Sequence, residues 1–296
     1  MRIETATRPG TPERPNEDFT AVALPASGEG GVLVVLDGVT PPPAGTGCVH
    51  GVPWFTARLG GALLELAAAR PGTALADCLT EAIARTAGSH ASSCDLSHRN
   101  TPQATVVAAR WNRDVVEHLV LSDSVLLIED TTGRTAEESV RAVLDDRLGR
   151  LPEPVRAMRA AVRALPPGSP ERAVAGAEYG RAVEALRNAE GGFFTAAADP
   201  SVAARAVTGA TPRADVRSLT ALTDGASRLV EVFHECGWGE LVEVVRAAGP
   251  EEVIRRVRAA EAADPSGTRF PRGKRHDDAT VTHAALGVPP VPLRRG

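Results

Sequence analysis

Short β-type runs occur in groups along this chain, and each group is followed by helical stretches, an alternation that restricts the fold more than any other feature. Phe19–Leu24 and Val32–Leu36 read as a hairpin with Gly28, Gly30 and Gly31 between them; helical patterns over Trp54–Ala69 and Ala74–Thr86 follow. Ala104–Trp111, Val115–Leu121 and Val125–Ile128 read as an antiparallel meander. From Thr135 to Asn188 the sequence turns rich in Ala, Arg and Glu, broken at Pro152, Pro154 and Pro166-Pro167-Gly168, and predicts an excursion of about two or three helices. After an apolar piece at Gly192–Ala196 and a helical Ser201–Val207, the pattern gives a strand at Val216–Thr223. Amphipathic helices near Glu240–Ala247 and Glu251–Ala262 and a final strand at Ala279–Leu286 complete it. Helix pairs need faces to cover, so the expected fold is α+β, with two antiparallel sheets and helices outside them.

With 296 residues, 43% of them apolar, the chain can bury a large core. Its net charge of −4 and lack of a basic stripe give no reason to expect nucleic acid or an anionic membrane as a partner. The first residues, Met1 to Phe19, are polar and hold no apolar core of the kind a secretion signal needs, and Val32–Leu36 and Leu59–Ala69 are too short or too interrupted to span a bilayer. A cytoplasmic protein is expected. Cys48, Cys78, Cys94 and Cys236 lie far apart without a CxxC pair, which suits free thiols in a reducing compartment rather than a zinc site or a disulfide framework.

Acidic residues stand at the ends of the apolar runs. Asn16-Glu17-Asp18 precedes the first strand, Asp37-Gly38 follows Val-Leu-Val-Val-Leu, Asp224-Gly225 follows Leu-Thr-Ala-Leu-Thr, and Asp277-Asp278 precedes the last strand. Strand ends project side chains into a cleft with little positional freedom, and carboxylates gathered there repel unless a cation joins them. Oxygen donors alone select Mg²⁺ or Mn²⁺ over zinc. Plain turn chemistry explains any single Asp-Gly equally well.

Taken in order, Arg14-Pro15-Asn16-Glu17-Asp18, Val34 to Gly38, Pro102 to Val106, Leu121-Ser122-Asp123-Ser124, Leu222 to Gly225 and His276 to Val281 resemble the motifs of the metal-dependent serine/threonine phosphatases of the type-2C (PPM) family, in particular bacterial members. The resemblance spans residues 14–283 and implies one domain over 1–296, an αββα sandwich in four layers, with a helical flap-like insertion at about 135–190. It implies two Mg²⁺ or Mn²⁺ ions bridged by Asp37, with the Gly38 carbonyl on one and Asp224 and Asp277 on the other. Asp123 falls at a third, weaker metal position. Glu17 would hold water of the metal shell, Arg14 would grip the substrate phosphate, and Asn16, Asp18, Thr105 and Asp278 would orient these groups. The implied substrate is a phosphorylated protein or a small phosphomonoester.

The chain departs from that pattern in several places. Val39-Thr40-Pro41-Pro42-Pro43 replaces a Gly- or His-rich continuation, Ser122 stands where Gly is usual, Pro102-Gln103-Ala104-Thr105 replaces a Gly-Ser-Thr motif, and Arg228 replaces an acidic residue four after Asp224. Cys48 with His50, and His90, Cys94 and His98 at loosely helical spacing, read either as reactive or ligating groups or as a small core thiol and a surface turn. A noncatalytic binding module and a metabolite-processing enzyme on the same scaffold are the competing readings.

Overall fold

The structure, a computed structural model, describes residues 1–42, 45–166 and 168–287; Pro43 and Pro167, which fall in breaks expected from the sequence, lie outside the described residues. Two five-stranded antiparallel sheets stack face to face. The first runs β1 (Arg2–Arg8), β10 (Ala279–Ala285), β9 (Val216–Leu222), β6 (Val125–Asp130) and β7 (Val140–Val143). The second runs β2 (Phe19–Ala23), β3 (Gly31–Leu36), β4 (Val106–Trp111), β5 (Val115–Leu121) and β8 (Val207–Pro212).

Strand periodicity sends alternate residues to opposite faces. Leu33 and Val35 of β3, with Val107 and Val120, meet Leu126, Ile128, Leu219 and Ala221 of the other sheet, forming the central layer. Val32, Val34 and Leu36 point outward against α1 (Val52–Ala69) and α2 (Leu75–His90), where Phe55, Leu59, Leu63, Leu79 and Ile83 cover them. Across the molecule Val125, Leu127, Leu222 and Val281 pack under α6 (Asp224–Glu231), α7 (Trp238–Ala248) and α8 (Pro250–Ala263). Because both faces of the inner strands are covered, they read as unbroken apolar runs. The result is the four-layer αββα sandwich that the resemblance implied.

Arg110 on β4 is almost fully buried; its guanidinium donates to the carbonyls of Ala67, Arg70 and Thr73 and pairs with Glu117, so it closes the α1–α2 connection against the sheet.

Three strands escape sequence reading. β1 (Arg-Ile-Glu-Thr-Ala-Thr-Arg) and β8 (Val-Thr-Gly-Ala-Thr-Pro) are largely exposed edge strands, and edge strands carry no continuous apolar signal. β7 begins only after Thr135, so the opening of the expected helical excursion is a sheet edge paired to β6. The short α3 (Ala136–Ser139) leads into it, and the helical part proper is a hairpin of α4 (Glu153–Ala164) and α5 (Pro170–Glu184). Ser201–Val207, expected helical, is a 3-10 turn over Pro200–Arg205, and α6 starts at Asp224, where the sequence reading ended a strand in Asp-Gly and placed no helix. No described helix is long and apolar enough to cross a membrane.

Candidate active site

Each acidic site grows from the end of a strand. Asp37 follows β3; its carbonyl accepts from Thr105 N–H (2.9 Å) and its N–H donates to Thr105 Oγ1 (3.3 Å), while that hydroxyl also meets Ser124 Oγ at 2.6 Å. Asp224 opens α6 after β9, and its N–H lies 3.4 Å from Asp37 Oδ2, so the Asp37 carboxylate faces the positive end of the helix. Asp123 sits in the β5–β6 turn after Ser122, whose φ of 70° is the left-handed conformation that glycine adopts freely and serine does at a cost of about 1–2 kcal/mol. The Ser122 N–H bond to Asp145 Oδ2 (2.9 Å) holds that turn.

The glycine of each Asp-Gly pair is required by crowding. A Cβ on Gly38 would stand 2.5 Å from the Glu17 carbonyl and 2.4 Å from Val52 Cγ1, and one on Gly225 would stand 1.9 Å from the Asp278 carbonyl. These contacts between chain segments require glycine at both positions, whatever the Gly38 carbonyl binds.

Asp37, Gly38, Asp123, Asp224 and Asp277 line one cavity of about 430 Å³. Burial, then Asp224, Asp18, Asp123 and Asp277 in decreasing order, push the Asp37 carboxyl far above the ordinary carboxylate range. Burial with Asp277 and Asp123 pushes Asp224 up to about 6, against the pull of Arg228. Burial also raises Asp123. Asp18 lies beneath, accepting from Thr280 Oγ1 (2.7 Å) and Thr223 Oγ1 (3.1 Å) on one oxygen. Its other oxygen is buried with no hydrogen-bond partner among the described residues, and burial pushes its pKa up to about 8.

Asp277 has a different environment. Lys274 Nζ reaches its Oδ1 and Arg228 Nη2 its Oδ2, each at 2.8 Å. Arg228 continues to Glu261 (2.9 Å), a fully buried carboxylate that also binds Arg258 and His276. Burial opposes the Lys274 charge, but Asp277, Asp224 and Asp37 hold its pKa above the usual lysine range. Sequence reading found Asp277 and missed Lys274 and Arg187 as cations lining the same cavity, since nothing local marks them.

Glu17 and Arg14 line an adjoining, smaller cleft that shares Thr40, Lys274 and Asp277 with the first. Glu17 accepts from the Thr40 hydroxyl, and Arg14 Nη2 lies 3.9 Å from Glu17 Oε1. Asp278 accepts from Gly10 N–H (2.7 Å) and Glu17 N–H (2.6 Å), and Asn16 Oδ1 accepts from Asp18 N–H (2.9 Å), so these two side chains hold the Asn16-Glu17-Asp18 turn in place.

The donor set suits a hard divalent cation. Three half-buried carboxylates converge on one cavity with raised pKa values and only oxygen atoms to offer, and an ion is what would let all of them ionise. The fit is tightest at Asp37, Asp224 and Asp123, because Asp277 already has cationic partners.

One sequence expectation fails outside this cleft. Cys48 and Cys94, read as separated thiols, meet with Sγ atoms 3.1 Å apart beside His90, because the loop before α1 folds onto the end of α2. His98 stays apart, packed over Gly47.

Neither a protein-family model nor a curated protein sequence matches the chain. Solved structures do. A bacterial serine phosphatase covers 98% of this chain and 100% of its own at TM-score 0.56 and 14% identity. Serine/threonine phosphatase Stp1 from Staphylococcus aureus covers 96% and 94% at TM-score 0.54 and 13% identity. The catalytic domain of serine/threonine protein phosphatase PstP, solved with two manganese ions, covers 95% and 96% at TM-score 0.52 and 15% identity. Over nearly its whole length, therefore, the chain has the αββα fold of these bacterial serine/threonine phosphatases.

Proposed function

We propose that this chain is a metal-dependent phosphomonoester hydrolase acting on phosphoserine and phosphothreonine in proteins. The observation that carries the reading is the convergence of the Asp37, Asp123 and Asp224 carboxyls on one cavity, where desolvation and neighbouring carboxylates push their pKa values up. Asp37, Asp224, Asp277 and the Gly38 carbonyl would hold two Mg²⁺ or Mn²⁺ ions, with Asp123 at a third, weaker position; PstP, of the same fold, was solved with two manganese ions. Bound there, such ions supply a nucleophile at neutral pH and stabilise charge on the phosphoryl oxygens.

The chain's own residues do the rest. Thr105 fixes the Asp37 backbone, Asp18 braces Thr223 and Thr280 beneath the floor, and Asp278 with Asn16 orients Glu17. Arg14, exposed beside Glu17, would grip an incoming phosphate by a bidentate contact. We read residues 1–296 as one catalytic unit, located in the cytoplasm, in which the α4–α5 hairpin serves as a flap.

A small phosphomonoester is the second reading. It is favoured by Leu148, Val183 and Phe193, apolar residues that line the cavity together with Arg187.

The test is a phosphatase screen with Mn²⁺ or Mg²⁺ against phosphopeptides and small phosphomonoesters side by side. Turnover that stops in EDTA and returns with Mn²⁺ or Mg²⁺ but poorly with Zn²⁺ is expected, and the faster substrate class decides between the readings. Full activity in EDTA, or no hydrolysis of either class with the metals present, would overturn the proposal.

A further inference from the structure

None of Cys48, His90 and Cys94 lines the acidic cavity, yet their ligand atoms all lie within 4.8 Å of one another. Cys48 Sγ stands 3.1 Å from Cys94 Sγ and 3.6 Å from His90 Nδ1. The sulfurs are too far apart for a covalent bond of about 2.05 Å. A disulfide would also leave unexplained why a third donor converges on the pair.

The surroundings are built to hold these atoms. His90 ends α2 and is 2% exposed, and the Cys94 N–H bonds to the His90 carbonyl at 3.0 Å, so the helical turn continues and both side chains face the same way. The Cys48 loop is fixed from both sides. Cys48 N–H donates to Thr46 Oγ1 (3.1 Å), and the Gly47 carbonyl accepts from Asp95 N–H (2.8 Å), with Gly47 at φ +69° where a side chain would strike His98. His50 N–H points at Cys48 Sγ (3.5 Å), the kind of contact that stabilises a thiolate. The His50 ring, stacked on Trp54 with centroids 4.1 Å apart, flanks the group.

Ligation takes a neutral imidazole at His90 and thiolates at Cys48 and Cys94. A bound ion would deprotonate both thiols.

We propose that Cys48, His90 and Cys94 form a second metal site, for Zn²⁺, which cross-links the loop before α1 to the end of α2. Two thiolates and an imidazole are soft and borderline donors that select zinc, where the all-oxygen cleft selects Mg²⁺ or Mn²⁺. The two sites would therefore be loaded by different ions in one molecule.

The experiment uses the full chain, purified in a phosphine reductant and saturated with Mg²⁺ to fill the carboxylate cleft, then titrated with Co²⁺ as a spectroscopic stand-in for Zn²⁺. Thiolate-to-cobalt charge-transfer absorption should saturate at one equivalent and disappear on adding Zn²⁺. Changing an outer partner of a metal typically costs roughly 10–100-fold in affinity, so loss of a ligand in Cys48→Ser, Cys94→Ser or His90→Ala should cost about a hundredfold or more. Wild-type protein with no charge-transfer band overturns the proposal, whatever the variants do. So does a thiol titration of zinc-exposed, unreduced protein that finds two of the four cysteines lost to a disulfide. Neither readout depends on hydrolytic activity, so failure here is separable from failure of the phosphatase reading.

Discussion

Asp37 and Asp277 stand on the same cavity and meet opposite electrostatic surroundings. Around Asp37 burial and four other carboxylates drive the pKa up, whereas Asp277 has Lys274 on one oxygen and Arg228 on the other. A carboxylate drawn from water needs a counter-charge, and the chain places one in direct contact with Asp277 and none in direct contact with Asp37 among the described residues. On the proposed reading the difference separates the ligands: Asp37 and Asp224 would take up an ion with repulsion relieved, whereas Asp277 would have to give up Lys274 and Arg228 to the ion it binds.

The largest expected effect comes from neutralising the unpaired side. Asp37→Asn should lower kcat by at least roughly 10³-fold while raising the melting temperature of the metal-free protein, because it removes both a ligand and a source of repulsion. Activity within about threefold of wild type, or a metal-free protein less stable than wild type, would break the comparison.

On the paired side the sign reverses. Arg228 is 6% exposed and joins Asp277 to the fully buried Glu261, so Arg228→Ala should cost about 3–5 kcal/mol in unfolding free energy, and Arg228→Lys should recover part of it. Denaturant unfolding that shows less than about 1 kcal/mol would mean Arg258 and His276 suffice for Glu261.

A pH scan sharpens the contrast. A carboxyl raised in the folded state favours folding below its unfolded value of 3.8, and that contribution is lost as pH climbs through its folded value, about 6 for Asp224 and about 8 for Asp18. Buried His118, pushed down to about 4, and His283, also lowered by burial, act in the opposite direction up to the ordinary 6.5. The clean window is therefore about pH 6.5–8, where the melting temperature in EDTA should fall by roughly 2–4 °C per kcal/mol lost and be restored by Mn²⁺. A flat or rising curve there would contradict the unpaired state of the Asp37 side.

The smallest effect belongs to Lys274, which is 44% exposed. Lys274→Ala should change stability by less than about 1 kcal/mol yet tighten Mn²⁺ binding by roughly two- to tenfold, because Asp277 is released from a competing cation. Calorimetric titration that shows weaker Mn²⁺ binding would assign Lys274 a supporting rather than a competing role.

Much of the fold was legible because the inner strands are covered on both faces. Gly31–Leu36 is buried at every residue, and such runs announce themselves. β1, β7 and β8 went unread because at these sheet edges pairing is supplied by a neighbour and the side chains are largely polar or few, whereas edge strand β2 keeps Phe19 and Val22 and was legible. The α4–α5 hairpin was legible as helix, but its lack of any buried residue was not, since helical spacing says nothing of what covers it.

By itself the sequence determined that acidic residues would stand at the ends of apolar strands, because that order is written in adjacent residues: Asp37 after β3, Asp224 after β9, Asp277 before β10. Tertiary structure alone decided which charges are answered and which are not. Arg228 meets Asp277 across 49 positions, and Cys48 meets His90 and Cys94 across 42 and 46. Local propensity acts over a few residues, whereas electrostatic pairing and metal ligation act over a few ångströms; only packing of the finished sandwich converts the one separation into the other.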